Sequence, residues 1–389
     1  MGADSAIPHK AGLDRLGHAV AQVPDCLVIG GGLMGLLTAL ELRDAGLSVT
    51  LLERGAAGRE ASWAGGGILS PLYPWRQPDA ITRLSSWSQR AYPHLAETVV
   101  ERGDVDPEWT RSGLLTLGAE DHDTARDWAA RGGTCLEHTD ARAVTELVPG
   151  LGDPGPGLWL PEVAQIRNPR LARGLRATLL AAGVTLIEDC AVHEVQARGR
   201  KVAGVVTARG KFPAGRVVVA AGAWSAGLLA PLGFPLAVEP VRGQMILFRA
   251  APGLVSPIVL RRGHYIIPRR DGRILAGSTL EHAGFDKATT PEAERTLHAA
   301  ALELLPALAE VPVERHWAGL RPGSPAGIPF IGEHPDIQGL YVNSGHYRNG
   351  VVLAPASARL LSELILEITP IIDPAPYRLE AARPEALEA

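Results

Sequence analysis

The chain has 389 residues, a formal net charge of −4, 46% hydrophobic and 21% charged residues, the balance of an ordinary globular protein. That length predicts two domains rather than one core, and the absence of a basic excess excludes nucleic acid and acidic lipid as natural partners. The first twenty residues mix charges with short apolar pieces and contain no signal-peptide core, so the sequence reads as cytoplasmic.

Residues 1–21 read as a loosely ordered lead-in. The stretch Cys26 to Glu53, CLVIGGGLMGLLTALELRDAGLSVTLLE, then follows the order strand, glycine turn, helix, strand. Gly30, Gly32 and Gly35 have the G-x-G-x-x-G spacing: the first permits the tight turn, the second lets a pyrophosphate approach the backbone, and the third lets helix and strand pack closely. The free N–H groups of the helix start and its dipole favour phosphate. Glu53 ends the second strand, where a carboxylate accepts hydrogen bonds from ribose hydroxyls and disfavours a 2′-phosphate. This motif predicts an ADP moiety without separating FAD from NAD.

Beyond Glu53 comes a run of small residues, Ala61, Ser62, Ala64, Gly65, Gly66 and Gly67, ending at Ile68. Such a run suits a backbone lying flat against a large planar ligand. A helix is predicted from Ala80 to Val100, and a turn-rich region with short strands from about Asp104 to Pro161. Asn168-Pro169 predicts a helix start with Asn168 as cap, and Gly183 its stop. Arg216 to Val219 is a buried strand returning to the nucleotide-binding sheet and running into the small-residue turn at Gly222.

From Val238 the pattern changes to strands at Gln244 to Phe248, His264 to Pro268 and Ile274 to Ser278, with Asp271-Gly272 as a hairpin turn. Thr290-Pro291 opens a helix whose apolar face includes Leu297, Ala301 and Leu304. A glycine-bounded loop from Asn343 to Gly350 precedes a helix from Val351 to Ile368, which Arg359, Glu363 and Glu367 disqualify as a membrane span. After Ile372 the Pro- and Ala-rich tail reads as a surface segment. Cys26, Cys135 and Cys190 form no C-x-x-C pair; Cys26 and Cys190 read as buried inert thiols, and no metal site is expected.

The motif ending in Glu53-Arg54, the Ala61 to Leu69 segment, Trp317 to Gly323 (WAGLRPG) and Gly345 to Gly350 (GHYRNG) together resemble the FAD-dependent D-amino-acid oxidase family, and within it the glycine oxidases of thiamine biosynthesis. The resemblance implies an α/β fold: an FAD-binding Rossmann-like domain of the glutathione-reductase type with an inserted antiparallel-sheet α+β substrate domain. It assigns 22–95, 166–232 and 318–368 to the first, 96–165 and 233–317 to the second, and leaves 1–21 and 373–389 as tails.

Residue by residue, the resemblance implies that Gly30, Gly32, Leu33, Met34 and Gly35 hold the pyrophosphate and that Glu53 and Arg54 hold the adenosine end, with Val192 at the adenine. Ala61, Ser62, Gly66, Gly67 and Ile68 would line the flavin, with Gly222 also on the cofactor, and His346, Tyr347, Arg348, Asn349, Gly350, Val351 and Val352 would face its pyrimidine side. Arg321 would take the substrate carboxylate, Tyr265 would close on it, and Arg348 would be a further polar contact. No cysteine lies near Gly345 to Gly350, so the FAD is expected to be non-covalent, and His346 is read as a hydrogen-bonding group rather than a ligand.

The activity so implied is hydride transfer from the Cα of glycine, sarcosine or a small D-amino acid to flavin N5, followed by reoxidation by molecular oxygen to hydrogen peroxide. Glycine would give glyoxylate or its imine for thiazole synthesis, and the protein would be a homo-oligomer such as a homotetramer. A D-amino-acid dehydrogenase passing electrons to a quinone shares the same fold and arginine. The chain departs from a glycine oxidase pattern at Gly263, where that enzyme carries histidine, and at Leu280 and Ile68, where it carries methionines.

Overall fold

The computed structural model of the protein describes residues 23–384, so the expected lead-in, 1–21, and the end of the tail, 385–389, lie outside it. Strand Cys26–Ile29 pairs in parallel with Val49–Leu52 on one side and Val217–Val219 on the other. Thr185–Ile187 extends the sheet beyond the first, Leu340–Ser344 beyond the second, and Phe330–Glu333 adds an antiparallel edge.

Both faces of this six-stranded sheet are covered, which is why its strands are apolar throughout. Cys26 and Val28 face a layer formed by helices Leu33–Asp44, Asp79–Gly103, Asn168–Ala181 and Gly350–Ile365. Leu27 and Ile29 point the other way, against a three-stranded antiparallel sheet carrying Val195, Val202 and Val205. Burial pushes the Cys26 thiol up to about 12, so it stays protonated, as expected of an inert core thiol.

Helix Gly350–Ile365 contains Pro355, which cannot donate to the carbonyl of Val351. The hydroxyl of fully buried Tyr92 donates to that carbonyl instead, and Ser88 Oγ accepts from Ala356 N at 3.0 Å. Two polar side chains of helix Asp79–Gly103 thus satisfy the groups that the proline disturbs and fix the start of the second helix.

The second sheet has eight strands, in the order Val313–Gly323, Glu239–Phe248, Ile274–Gly277, His264–Pro268, Ile258–Arg261, Leu114–Leu117, Gly157–Leu160 and Glu137–Thr139. It is antiparallel as expected, with one exception: Leu114–Leu117 runs parallel to Ile258–Arg261. The two are joined through a long stretch of chain, so no hairpin dictates their relative direction. Alternation divides the sheet's faces. Ile246, Phe248 and Ile266 pack on helix Pro291–Leu304, whereas Met245, Tyr265 and Ile267 face the first sheet's side. At the predicted hairpin, Arg269 and Arg273 close a three-residue turn in which Gly272 has φ +89°, the left-handed position of such loops.

Several expectations change. Strand Val313–Gly323 is unbroken, so the expected boundary at 318 falls inside it. Asn168 is the first residue of its helix and makes no cap bond; its buried amide lies under the Gly65–Gly67 backbone. The segment after Ile372 is not a surface tail, because Tyr377 is fully buried with its hydroxyl donating to Ala80 O at 2.7 Å. Arg383 covers Phe330, its guanidinium 3.6 Å from the ring centre. Composition hid these anchors among prolines and alanines. Among the described residues no helix is long and apolar enough to cross a membrane.

Candidate functional site

The strand ends of the first sheet and the inner face of the second enclose one cavity of about 560 Å³. At one end is the glycine turn. Gly30 has φ +107°, and a Cβ there would lie 2.5 Å from Ala220 O, so no other residue fits. Gly32, Leu33 and Met34 line the cavity at the start of helix Leu33–Asp44. Gly35 does not: a Cβ on it would lie 1.8 Å from Gly30 O, so its role is the close helix–strand contact and the expected pyrophosphate contact is corrected.

Glu53 is buried, and each of its oxygens accepts one backbone N–H, Gly31 N at 2.6 Å and Gly55 N at 2.9 Å. Lone pairs remain for ribose hydroxyls. Ser62 Oγ accepts from Leu33 N at 2.8 Å and so joins the small-residue run to the glycine turn. Arg54 lies over the Trp224 ring, 3.4 Å from its centre, and pairs with Glu60 at 2.5 Å. Val192 and Gly222 line the same wall.

In the middle of the cavity, Gly65, Gly66 and Gly67 pass between two packed surfaces. A Cβ on Gly67 would lie 2.0 Å from Ile166 O, and one on Gly66 would lie 2.9 Å from Ile267 Cδ1. The glycines are therefore demanded by the protein behind the loop, in addition to any ligand in front. Arg269 holds the loop from the second sheet: Nη2 donates to Gly66 O at 2.7 Å and Nη1 to Gln165 Oε1 at 2.7 Å. Burial pushes this guanidinium down to about 10, so it remains charged. Ala61, Ser62 and Ile68 flank the loop.

The opposite wall is His346 to Val352. His346 is 1% exposed, neither ring nitrogen has a protein partner, and burial pushes it down to about 3, so the imidazole is neutral. Unpartnered buried imidazole nitrogens beside a cavity suit a polar ligand. Tyr347, Arg348, Asn349, Gly350, Val351 and Val352 complete this wall around the N-terminus of helix Gly350–Ile365.

The far end holds Arg321, Tyr265 and Arg348, the last exposed. Arg321 donates from Nη2 to Ser278 Oγ at 2.8 Å and from Nη1 to Thr279 O at 3.1 Å. Burial lowers its pKa, the Tyr265 phenol opposing and the Arg348 charge adding to that effect. Met245, Leu72 and Ile68 make the apolar wall nearby.

Every predicted site residue except Gly35 lines this cavity. Sequence reading missed Arg269, which follows strand His264–Pro268 at the hairpin, and Gly243, over which the Arg321 guanidinium lies. Gly243 did carry a signal, since an isolated glycine within a strand marks a close approach. The glycine cradle, the helix N-terminus at Gly32, the ribose-ready Glu53 and the unpartnered His346 fit a flavin dinucleotide.

A family model described as FAD dependent oxidoreductase, DAO, matches residues 25–364. The glycine oxidase of Pseudomonas aeruginosa is 52% identical over 353 residues, covering 90% of this chain and 97% of its own. The bifunctional protein ThiO/ThiG of Synechocystis is 35% identical over 90% of this chain and 53% of its own length. Among solved structures, glycine oxidase from Geobacillus kaustophilus superposes with a TM-score of 0.88 at 30% identity, covering 92% of this chain and 99% of that one. With the dinucleotide cradle and these matches in agreement, the chain belongs to the DAO family of FAD-dependent oxidoreductases.

Proposed function

We propose that this protein oxidises glycine, and with it small amines such as sarcosine and small D-amino acids, to the imine, using molecular oxygen as electron acceptor. The observation that carries this reading is the Arg321 fork, fixed before any substrate arrives at the end of the cavity away from the glycine turn. Two of its five N–H donors are engaged by Ser278 and Thr279, and the remainder suit a carboxylate held by paired charge-assisted bonds. Tyr265 lines the same cavity, and its hydroxyl would serve as a further donor to a carboxylate oxygen.

Apolar side chains of Met245, Leu72 and Ile68 line the same cavity and suit a small apolar Cα substituent. His346 is a neutral imidazole at neutral pH, so it offers one hydrogen-bond donor and one acceptor and no imidazolium acid. The residues therefore bind and orient the substrate as a neutral amine, and positioning is the protein's main contribution. Bound FAD would supply a two-electron acceptor for a hydride leaving the substrate Cα, with molecular oxygen as the final acceptor, reduced to hydrogen peroxide. The names of the relatives, glycine oxidase and ThiO/ThiG, support glycine as substrate and its imine or glyoxylate as a supply for thiamine thiazole synthesis.

The test is anaerobic mixing of the yellow protein with glycine, sarcosine, D-alanine and D-proline while the flavin absorbance is followed. Bleaching by glycine, then recovery in air with one peroxide per glyoxylate, is expected. A flavin that none of these amines bleaches would refute the reading. Bleaching reversed by a quinone and not by oxygen would turn it into a dehydrogenase.

A further inference from the structure

The acceptors that aim Arg321 sit on residues 278 and 279, directly after strand Ile274–Gly277. They are held by a polar cluster that has no contact with the cavity. Backbone bonds run both ways between Arg242 and Glu281, at 2.8 and 3.0 Å, an isolated antiparallel bridge that ties Glu281 to strand Glu239–Phe248. At the centre of the cluster is the Glu281 carboxylate. Oε1 accepts from the Thr279 hydroxyl and, at 2.8 Å, from Gln244 Nε2. Oε2 accepts from Arg242 Nε at 2.9 Å and Nη2 at 2.6 Å.

Arg242 and Gln244 are themselves buried. Arg242 uses its last guanidinium nitrogen on Asp286 Oδ2 at 2.6 Å, and Gln244 Oε1 accepts from Thr290 N at 2.9 Å. Burial raises the Glu281 pKa, but the bonds from Thr279, Gln244 and Arg242 outweigh it and hold the carboxyl below its ordinary range. The anion is thus permanent at neutral pH and fully partnered. An ion pair of this kind is worth little as a source of stability and is best understood as fixing one geometry.

We propose that Glu281 is a positioning residue for substrate binding: through Thr279 it fixes the peptide and hydroxyl acceptors that point the Arg321 guanidinium at the substrate carboxylate. This rests on the reading above that Arg321 takes that carboxylate. The chain of contact is Arg242 and Gln244 to Glu281, Glu281 to the Thr279 hydroxyl, and Thr279 O with Ser278 Oγ to Arg321. Removing the acceptor anion leaves the Thr279 side chain held only by Gln244 N, at 2.9 Å, and loosens the acceptors of the guanidinium, so substrate binding must offset the cost of ordering them.

The experiment uses FAD-loaded protein and glycolate, a carboxylate without an oxidisable amine, titrated by the change in the flavin's visible spectrum. Glu281→Gln and Thr279→Val are each expected to raise the glycolate dissociation constant and the KM for glycine about tenfold. The kcat at saturating glycine should stay within about twofold, and FAD affinity should stay unchanged, whatever the fall in Tm from unpairing Arg242. Unaltered glycolate binding in both variants overturns the proposal, as does a loss of FAD affinity and kcat in step with KM. Should Glu281→Gln fold poorly, Thr279→Val alone decides, since it leaves Glu281 with its bonds to Gln244 and Arg242 and removes the hydroxyl that donates to Glu281 and accepts from Gln244 N. Arg321→Met serves as the control on the underlying reading: normal glycolate binding in that variant refutes the role of Arg321 itself, whereas lost binding there with normal binding in the other two refutes only Glu281.

Discussion

Arg321 lies against Gly243 on the neighbouring strand, so closely that a Cβ on residue 243 would be 2.0 Å from its Nη1 and 2.4 Å from its Cζ. Diagonal neighbours in an antiparallel pair touch through long side chains, and here the shorter partner has been reduced to a hydrogen. The Gly243→Ala variant should displace the guanidinium from Ser278 and Thr279. We predict a rise in glycine KM of about a hundredfold with FAD still bound, as measured by steady-state kinetics beside flavin fluorescence titration.

Arg269 makes a different kind of prediction, one about the cofactor loop. Its guanidinium is the partner of Gly66 O, Ile166 O and Gln165 Oε1. The Arg269→Met variant keeps most of the apolar stem and removes these bonds. Apoprotein stability should fall by about 2–3 kcal/mol, the range for losing hydrogen bonds to a charged group, in urea titration. FAD affinity should fall as well, because the Gly65–Gly67 backbone loses its tie to the second sheet.

His346 sets an acid limit on the apoprotein. Its folded pKa is pushed down to about 3 by burial, against about 6.5 when unfolded. Between these values the unfolded chain binds a proton that the folded chain does not, so stability is full above the upper value and falls as the pH drops towards the lower one. The contribution of this one group approaches about 1.4 kcal/mol per pH unit within that window. Urea titrations of the apoprotein at several pH values should show this slope, and His346→Gln should reduce it.

Tyr377 tests the anchoring of the C-terminal segment. With a fully buried ring and a bond to Ala80 O, Tyr377→Ala should cost about 3–5 kcal/mol, as for other aromatic truncations in a core. Tyr377→Phe should cost about 1 kcal/mol. A genuine surface tail would show neither effect, and thermal unfolding distinguishes the outcomes.

Local pattern carried the first sheet well. The alternation of turn glycines, helix period and apolar strands between Cys26 and Glu53 is a short-range property, and the structure reproduces it with helix Leu33–Asp44 followed by Gly46 at φ +95°. What local pattern could not carry were partnerships across long separations in the chain. The parallel pairing of Leu114–Leu117 with Ile258–Arg261 joins residues far apart in sequence, and strand Ile258–Arg261 went unread. Arg269 bonds to residues more than a hundred positions earlier, and nothing in its own neighbourhood distinguishes it from a solvated turn arginine. The tail misled for the converse reason, since two buried side chains, Tyr377 and Leu379, outweigh the many small residues around them.

Strand Val313–Gly323 joins both ends of the chemistry mechanically. Near its middle, Trp317 Nε1 donates to Ala64 O at 3.0 Å, and a Cβ on Gly319 would lie 2.4 Å from Ala64 Cβ, while Arg321 follows two residues later. The proposed grip on an acid group, Arg321, and the small-residue loop at Ala64 are thus bolted to one stiff beam. Carried on one continuous strand, the distance between the two is set by the fold and not by whichever ligand arrives.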